Sequence, residues 1–259
     1  MGTATIQGQL WGARADDWAT IQEWAVRPAY DAILDRLGPW HGKTLLDVGC
    51  GAGAFASLAA ARGARVAGID AAPELIDIAE RRVSSGAFRV GEMESLPYAN
   101  SSFTVACGLI SFQYAQDPTH ALLETARVVR PGGTVVGMAG GTVDECEAAA
   151  CVQAIEALLP APVGPPAAPF SADVEELGKL FTSAGLTAGD LRAVPCPWYY
   201  PDERTALRGL LSTGPAVRAI GHSGEEAVAA AALAAIAPYR FGNGSYLLRN
   251  TFYYTVATV

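Results

Sequence analysis

A chain of 259 residues, 51% apolar and only 17% charged, can bury a substantial core, and this composition excludes disorder on any large scale. A formal charge of −8 without any run of basic residues argues against a polyanionic partner, so no nucleic acid is expected. Five cysteines without repeated close spacing suggest neither a disulfide framework nor a metal site. No apolar stretch suffices for a bilayer, and the expectation is a cytoplasmic protein, monomer or homodimer, away from the membrane.

Residues 1–40 are rich in aromatics (Trp11, Trp18, Trp24, Tyr30) and read as an N-terminal helical lid. Short β-type runs then alternate with helical patterns up to residue 140, the pattern of βαβ units and a parallel sheet. Thr44 to Val48 is predicted as a buried strand, and Phe55 to Ala61 as the helix that follows, closed by Gly63. Arg65 to Asp70 is the second strand. Pro73 then opens a helix whose buried face is Leu75, Ile76, Ala79 and Val83.

A third strand is expected at Phe88-Arg89-Val90, a fourth from Phe103 to Leu109, and a helix from Pro118 to Val129. The turn Arg130-Pro131-Gly132-Gly133 leads into a fifth strand, Gly133 to Met138. The Pro- and Ala-rich run from Pro160 to Pro169 reads as a connection, after which Ser171 caps a helix ended by Gly185. Leu191 to Tyr199 and Ser245 to Val256 carry β-branched and aromatic residues and would complete a sheet of about seven strands. Between them lies a cap insertion, residues 201–244, in which Ser223-Gly224-Glu225-Glu226 has capping-box form. The whole chain, 1–259, reads as a single three-layer α/β domain whose cofactor-binding core is 41–140.

Gly49, Gly51 and Gly53 follow the first strand and open a helix, so the backbone can turn sharply and approach a ligand. Asp70 ends the second strand, where a carboxylate can accept both hydroxyls of an adenosine ribose. Nicotinamide and flavin enzymes share that pairing, and Gly49-Cys50-Gly51-Ala52-Gly53-Ala54 satisfies the looser dinucleotide pattern. Asp47 discriminates, since a carboxylate beside the turn welcomes a cationic amino group and repels a pyrophosphate.

The run Leu45 to Gly53, the segment Gly68-Ile69-Asp70, the segment Gly91 to Tyr98 with Asn100 to Phe103, and the turn Arg130 to Gly133 occur in that order. Together they resemble the motifs of class I S-adenosylmethionine-dependent methyltransferases of the small-molecule type. The resemblance implies the Rossmann-like methyltransferase fold, its last strand antiparallel. It also implies S-adenosyl-L-methionine as cofactor, with S-adenosyl-L-homocysteine as product. Asp47, Gly49, Cys50, Gly51 and Gly53 would hold the donor, with Asp70 and Ala71 at the ribose. Glu92 and Met93 would meet the adenine, and Gly108 and Leu109 the sulfonium and methyl. Glu92 is longer than the family's usual Asp, and Thr104 replaces the usual Asp in the fourth strand.

The fourth strand runs on through Ile110-Ser111-Phe112, not into the Asn/Asp-Pro-Pro-aromatic sequence of enzymes acting on nucleic-acid or protein-amide nitrogen, so a small-molecule acceptor is favoured. Candidates to contact it are Trp18, Gln113, Tyr114, Tyr199 and Tyr200. His222, in the cap, is the candidate catalytic residue should a proton have to leave the acceptor. Two other readings stay open at this level: a cofactor-binding protein that catalyses a cyclisation or similar step, and a non-catalytic cofactor sensor.

Overall fold

The computed structural model describes residues 2–160 and 174–259, with the side chains of residues 174 and 175 left aside. The predicted Ser171 cap and the Pro/Ala-rich connection from residue 161 onward lie outside the described residues. The chain begins with α1 (Ala4–Gly12), a short turn α2 (Ala15–Asp17), a π-helical turn Trp18–Gln22, a 3-10 turn Glu23–Val26, and α3 (Arg27–Leu37). The core then runs β1 (Thr44–Val48), α4 (Ala54–Ala61), β2 (Arg65–Asp70), α5 (Pro73–Arg82), β3 (Ala87–Val90), β4 (Phe103–Leu109), α6 (Pro118–Arg127) and β5 (Val129–Gly140). After it come α7 (Ala149–Glu156), α8 (Val174–Ser183), β6 (Arg192–Pro195), β7 (Trp198–Tyr200), α9 (Glu203–Leu210), α10 (Gly214–Ser223), α11 (Glu225–Ile236), β8 (Tyr246–Leu248) and β9 (Thr251–Thr258).

Seven strands form the main sheet in the order β3-β2-β1-β4-β5-β9-β6, parallel from β3 to β5, with β9 antiparallel to both neighbours. The order reverses direction at β1, so the carboxyl ends of β1 and β4 flank a crevice, the ordinary ligand position in an open α/β sheet. Side chains alternate across the sheet with period two. Leu45, Val105 and Cys107 face Ile33, Phe55 and Ile76 of α3, α4 and α5, while Leu46, Ala106 and Val135 face Leu122 and Phe181 of α6 and α8. Both layers are therefore dry, which explains the near-continuous apolar runs of the central strands.

A third cluster lies apart from the sheet. Cys151 and Ile155 of α7 pack with Leu210, Val228 and Ile236 of α9 and α11 and with Tyr200 and Leu248. The cap is thus larger than the expected 201–244, because α7, unanticipated in the sequence, is one of its walls. Its approach is guided by Thr142-Val143-Asp144-Glu145, where the Thr142 and Glu145 side chains form the capping box. At Ser223 the predicted capping box does not form: Gly224, at φ +83°, joins α10 to α11, and Ser223 Oγ donates instead to the Leu158 carbonyl at 2.7 Å.

Two predicted strands each divide in two. β6 and β9 lie in the main sheet, whereas β7 and β8 pair as a separate two-stranded sheet. The break falls at Cys196-Pro197 and at Asn250, since Pro197 has no N–H to continue a ladder. Asn250 instead accepts the Ala148 N–H at 3.0 Å and anchors the start of α7. The predicted turn Arg130 to Gly133 is a bulge inside β5, where pairing shifts from Phe103↔Val129 to Val105↔Thr134 and Gly132 adopts φ +73°. Among the described residues no helix is long and apolar enough to cross a membrane.

Cap and lid are joined by a buried hydrogen bond, from Tyr200 Oη to Gln22 Oε1 at 2.8 Å, and by the ion pairs Arg14–Glu225 at 2.7 Å and Arg208–Asp17 at 2.6 Å. Tyr200→Phe should leave that amide oxygen unsatisfied and cost about 1–3 kcal/mol in urea unfolding. It should also speed proteolysis within residues 2–26, and unchanged digestion there would show that the ion pairs of Arg14 and Arg208 hold the lid without it.

Candidate active site

The crevice is built on the turn after β1. The Gly49 and Cys50 N–H groups both donate to the Ile69 carbonyl, at 2.8 and 3.0 Å, tying the turn to β2. Gly49, at φ +73°, has no room for a side chain, because a Cβ there would sit 2.4 Å from Ser111 Cβ. Gly51, at φ +54°, faces the lid: a Cβ there would meet Glu23 Oε1 at 3.0 Å and Trp18 Nε1 at 3.2 Å.

Asp70, at the end of β2, accepts the Gly51 N–H on Oδ2 and the Ala72 N–H on Oδ1, each at 2.9 Å. These two bonds fix the carboxylate plane while its other lone pairs face the cavity, as bidentate recognition of a diol requires. Burial pushes its pKa up against those backbone donors. Glu92 is held by the Ala4 N–H of α1 at 3.0 Å and the Glu94 N–H at 3.3 Å. The length of this Glu is thereby used to reach the first turn of the lid.

The lid closes over the turn through Glu23. Its carboxylate is 3% exposed and pairs with Arg82 at 2.5 Å, while Arg82 also donates to the carbonyls of Ala52 (2.7 Å) and Ala19 (3.0 Å). Desolvation outweighs the guanidinium and moves Glu23 to about 7. The Trp24 ring covers the guanidinium at 5.2 Å. Beside Glu23, Trp18 Nε1 is buried without a hydrogen-bond partner, a donor aimed at the space over Gly51. The π-helical turn Trp18–Gln22 is what brings Trp18, Gln22 and Glu23 to one face.

The cavity encloses about 230 Å³ and runs from this turn to α7 and Trp198. It gathers eleven of the residues expected from sequence: Gly49, Cys50, Gly51, Asp70, Ala71, Glu92, Met93, Leu109, Trp18, Gln113 and Tyr114. It does not gather the others. Gly53 and Gly108 lie behind the wall, where added Cβ atoms would meet Ala79 Cβ at 3.0 Å and the Phe112 ring at 2.4 Å. Tyr200 is buried against Gln22, and Tyr199 is 61% exposed on the opposite side of its strand. His222 stands exposed on the last turn of α10, outside the cavity, as do His41 and His120.

Asp47 is 2% exposed and does not line the cavity; it accepts from Cys107 Sγ at 3.4 Å beneath the turn. The lid carboxylate over the glycines is Glu23, which the sequence reading missed. Its signal was a lone acid amid Trp18, Ile21, Trp24 and Val26. Ile110 was missed too. It lines the cavity at φ +61°, a region that β-branched residues avoid and that concentrates at functional sites.

Burial raises Asp47 from 3.8 to about 7, with Glu23 and Asp70 adding repulsion. The folded state then holds a proton that the unfolded state has lost, so the contribution of this group to stability is fullest below 3.8 and is lost as pH rises through about 7. The slope is about 1.4 kcal/mol per pH unit for this group. Asp47→Asn should flatten the pH dependence of the thermal midpoint between pH 5.5 and 7, and an undiminished slope would place the titration elsewhere.

The family described as "Methyltransferase domain" matches residues 46–137. A malonyl-[acyl-carrier protein] O-methyltransferase of Erwinia billingiae (strain Eb661) is 30% identical over 177 residues, 67% of this chain and 65% of that one. A 27-O-demethylrifamycin SV methyltransferase of Amycolatopsis mediterranei (strain S699) is 32% identical over 143 residues, 50% of this chain and 52% of that one. The chain thus spans less than two thirds of the length of these relatives. Among solved structures, the [4+2]-cyclase SpnF superposes with a TM-score of 0.61 at 20% identity over 99% of this chain and 93% of that one, a likeness of fold. With the crevice at the switch point, the glycine turn and Asp70, these matches make residues 46–137 a methyltransferase domain of the class I, Rossmann-like S-adenosylmethionine-dependent family.

Proposed function

We propose that the protein transfers the methyl group of S-adenosylmethionine to a small-molecule acceptor, a specialised metabolite, held in the cap half of the cavity. The observation that carries this reading is the cradle around Gly51: Asp70 fixed by two backbone N–H groups on one side, Glu23 and the unpartnered Trp18 Nε1 on the other. A ligand with a ribose diol at one end and an aminoacyl group at the other matches that donor set. Asp70 would take the ribose hydroxyls, Glu23 the ammonium and the Trp18 N–H the carboxylate. Glu92 and Met93 would border the adenine. Asp47, beneath the turn and outside the cavity lining, would not contact the donor.

The bound cofactor would supply an activated methyl with a good leaving group. The chain's own residues then have to align the acceptor and exclude water. Leu109, Ile110 and Ser111, at and just past the end of β4, line the cavity. The lid, clamped by Arg82, covers the glycine turn from the solvent side. Alignment and exclusion of water would be the main contribution of the protein; no His or Lys lines the cavity among the described residues, and the groups there that could take a proton are carboxylates.

Titration calorimetry with S-adenosylhomocysteine and with NAD tests the donor assignment. The first should bind and the second should not; tighter binding of NAD would sink the reading. Asp70→Asn should weaken S-adenosylhomocysteine about 10- to 100-fold, since one oxygen acceptor is lost at a charge-assisted site. Because this fold also serves the [4+2]-cyclase, methyl-labelled cofactor should be followed directly. Label found on the acceptor supports methyl transfer, whereas a new product with all label retained on the cofactor supports the cyclising alternative.

A further inference from the structure

The cavity wall carries one sign of charge. Its acidic side chains are those of Glu23, Asp70, Glu92 and Glu156, with no Lys, Arg or His among the described lining residues. Residues 161–173 contain none of the three either. Arg82, behind the wall, is spent on Glu23, and Arg249, beside the lining residue Asn250, is 72% exposed and pairs with Glu147. An acceptor bearing a carboxylate or phosphate would enter this space without a counter-charge and would face like charge in a poorly solvated site.

Three of the four carboxylates have partners or tasks on the donor side. Glu23 is paired with Arg82, Asp70 is fixed by backbone N–H groups, and Glu92 is held by the start of α1. Glu156 differs. It reaches the cavity from α7, in the cap, and makes no hydrogen bond or ion pair with a described residue. Burial raises its pKa. The same cavity is lined by the rings of Tyr30, Tyr114, Trp198 and Phe252; Trp198 stacks on Phe252 with ring centroids 6.4 Å apart, and Tyr114 is near enough to Glu156 to feel its charge. An unpaired carboxylate in a cavity lined by aromatic rings attracts an organic cation, through Coulomb attraction and through the ring quadrupoles together.

Resting on the methyltransferase reading above, we propose that the acceptor is an apolar, ring-bearing molecule carrying a protonated amine, and that Glu156 is the residue that binds this amine. The cavity thereby admits cationic acceptors and rejects anionic ones.

Three naphthalenes of similar size whose substituents are cationic, neutral and anionic, titrated by calorimetry into protein saturated with S-adenosylhomocysteine at pH 7.5, read the proposal. They are 2-naphthylmethylamine, 2-naphthylmethanol and 2-naphthoate. The ammonium should bind about tenfold more tightly than the alcohol, and the carboxylate about tenfold more weakly. In Glu156→Gln the advantage of the ammonium should fall to about twofold or less, with the alcohol unchanged. The proposal is overturned if naphthoate binds as well as the ammonium, if the preference survives in Glu156→Gln, or if none of the three binds. Loss of S-adenosylhomocysteine binding in Glu156→Gln would also overturn it, by placing that residue on the donor side. The cofactor titration on the wild-type protein separates the two levels. Cofactor binding with the wrong charge preference defeats this inference alone, while absent cofactor binding defeats the methyltransferase reading beneath it.

Discussion

The buried pair between Arg82 and Glu23 is the constraint on which the site depends. Arg82 is the last residue of α5, and Glu23 begins the 3-10 turn of the lid, so one guanidinium ties the N-terminal segment to the core. The same side chain also binds the Ala52 carbonyl inside the glycine turn and the Ala19 carbonyl inside the π-helical turn. A buried charge pair is retained at a desolvation cost and becomes tolerable only when its remaining donors are satisfied. Here they are, by two backbone carbonyls and by a Trp24 ring over the guanidinium.

From that clamp the lid geometry follows. Trp18 and Glu23 are set over Gly51, where only a glycine leaves space between turn and lid. The ribbon formed by β6 with β9 and then β7 with β8 does the corresponding work for the cap. It leaves the main sheet at Pro197 and Asn250, carries Trp198 into the cavity and presents Tyr200 to Gln22. Lid, cap and sheet therefore meet around one space.

Electrostatically, the space is a region of carboxylates held in poor solvation. Asp47 and Glu23 both rise to about 7, each mainly through desolvation. Such groups favour ligands that bring positive charge, since a cation restores the interaction that water would have supplied. An aminoacyl sulfonium donor and an amine-bearing acceptor both fit this preference, and a dinucleotide pyrophosphate does not.

The sequence by itself determined the core from β1 to β5, the glycine turn and the position of Asp70. All of these are encoded by contacts within one βαβ unit: period-two apolar strands, Pro at helix starts, and glycines where φ must be positive. Even there, Arg130 to Gly133 was misread, because a bulge and a turn share the same residues and differ only in whether the neighbouring strand continues. What lay beyond one unit was decided by tertiary structure. Glu23 and Arg82 are 59 residues apart and find each other only once the lid has docked. The capping-box pattern at Ser223 yielded to a carbonyl of Leu158 that is distant in sequence. Tyr199, Tyr200 and His222 were expected at the acceptor from chain position, but the pairing of β7 with β8 and the packing of α10 leave them outside the cavity lining. Residue type and local spacing specify which elements form. Which side chains share a cavity is set by how separately encoded elements pack against one another.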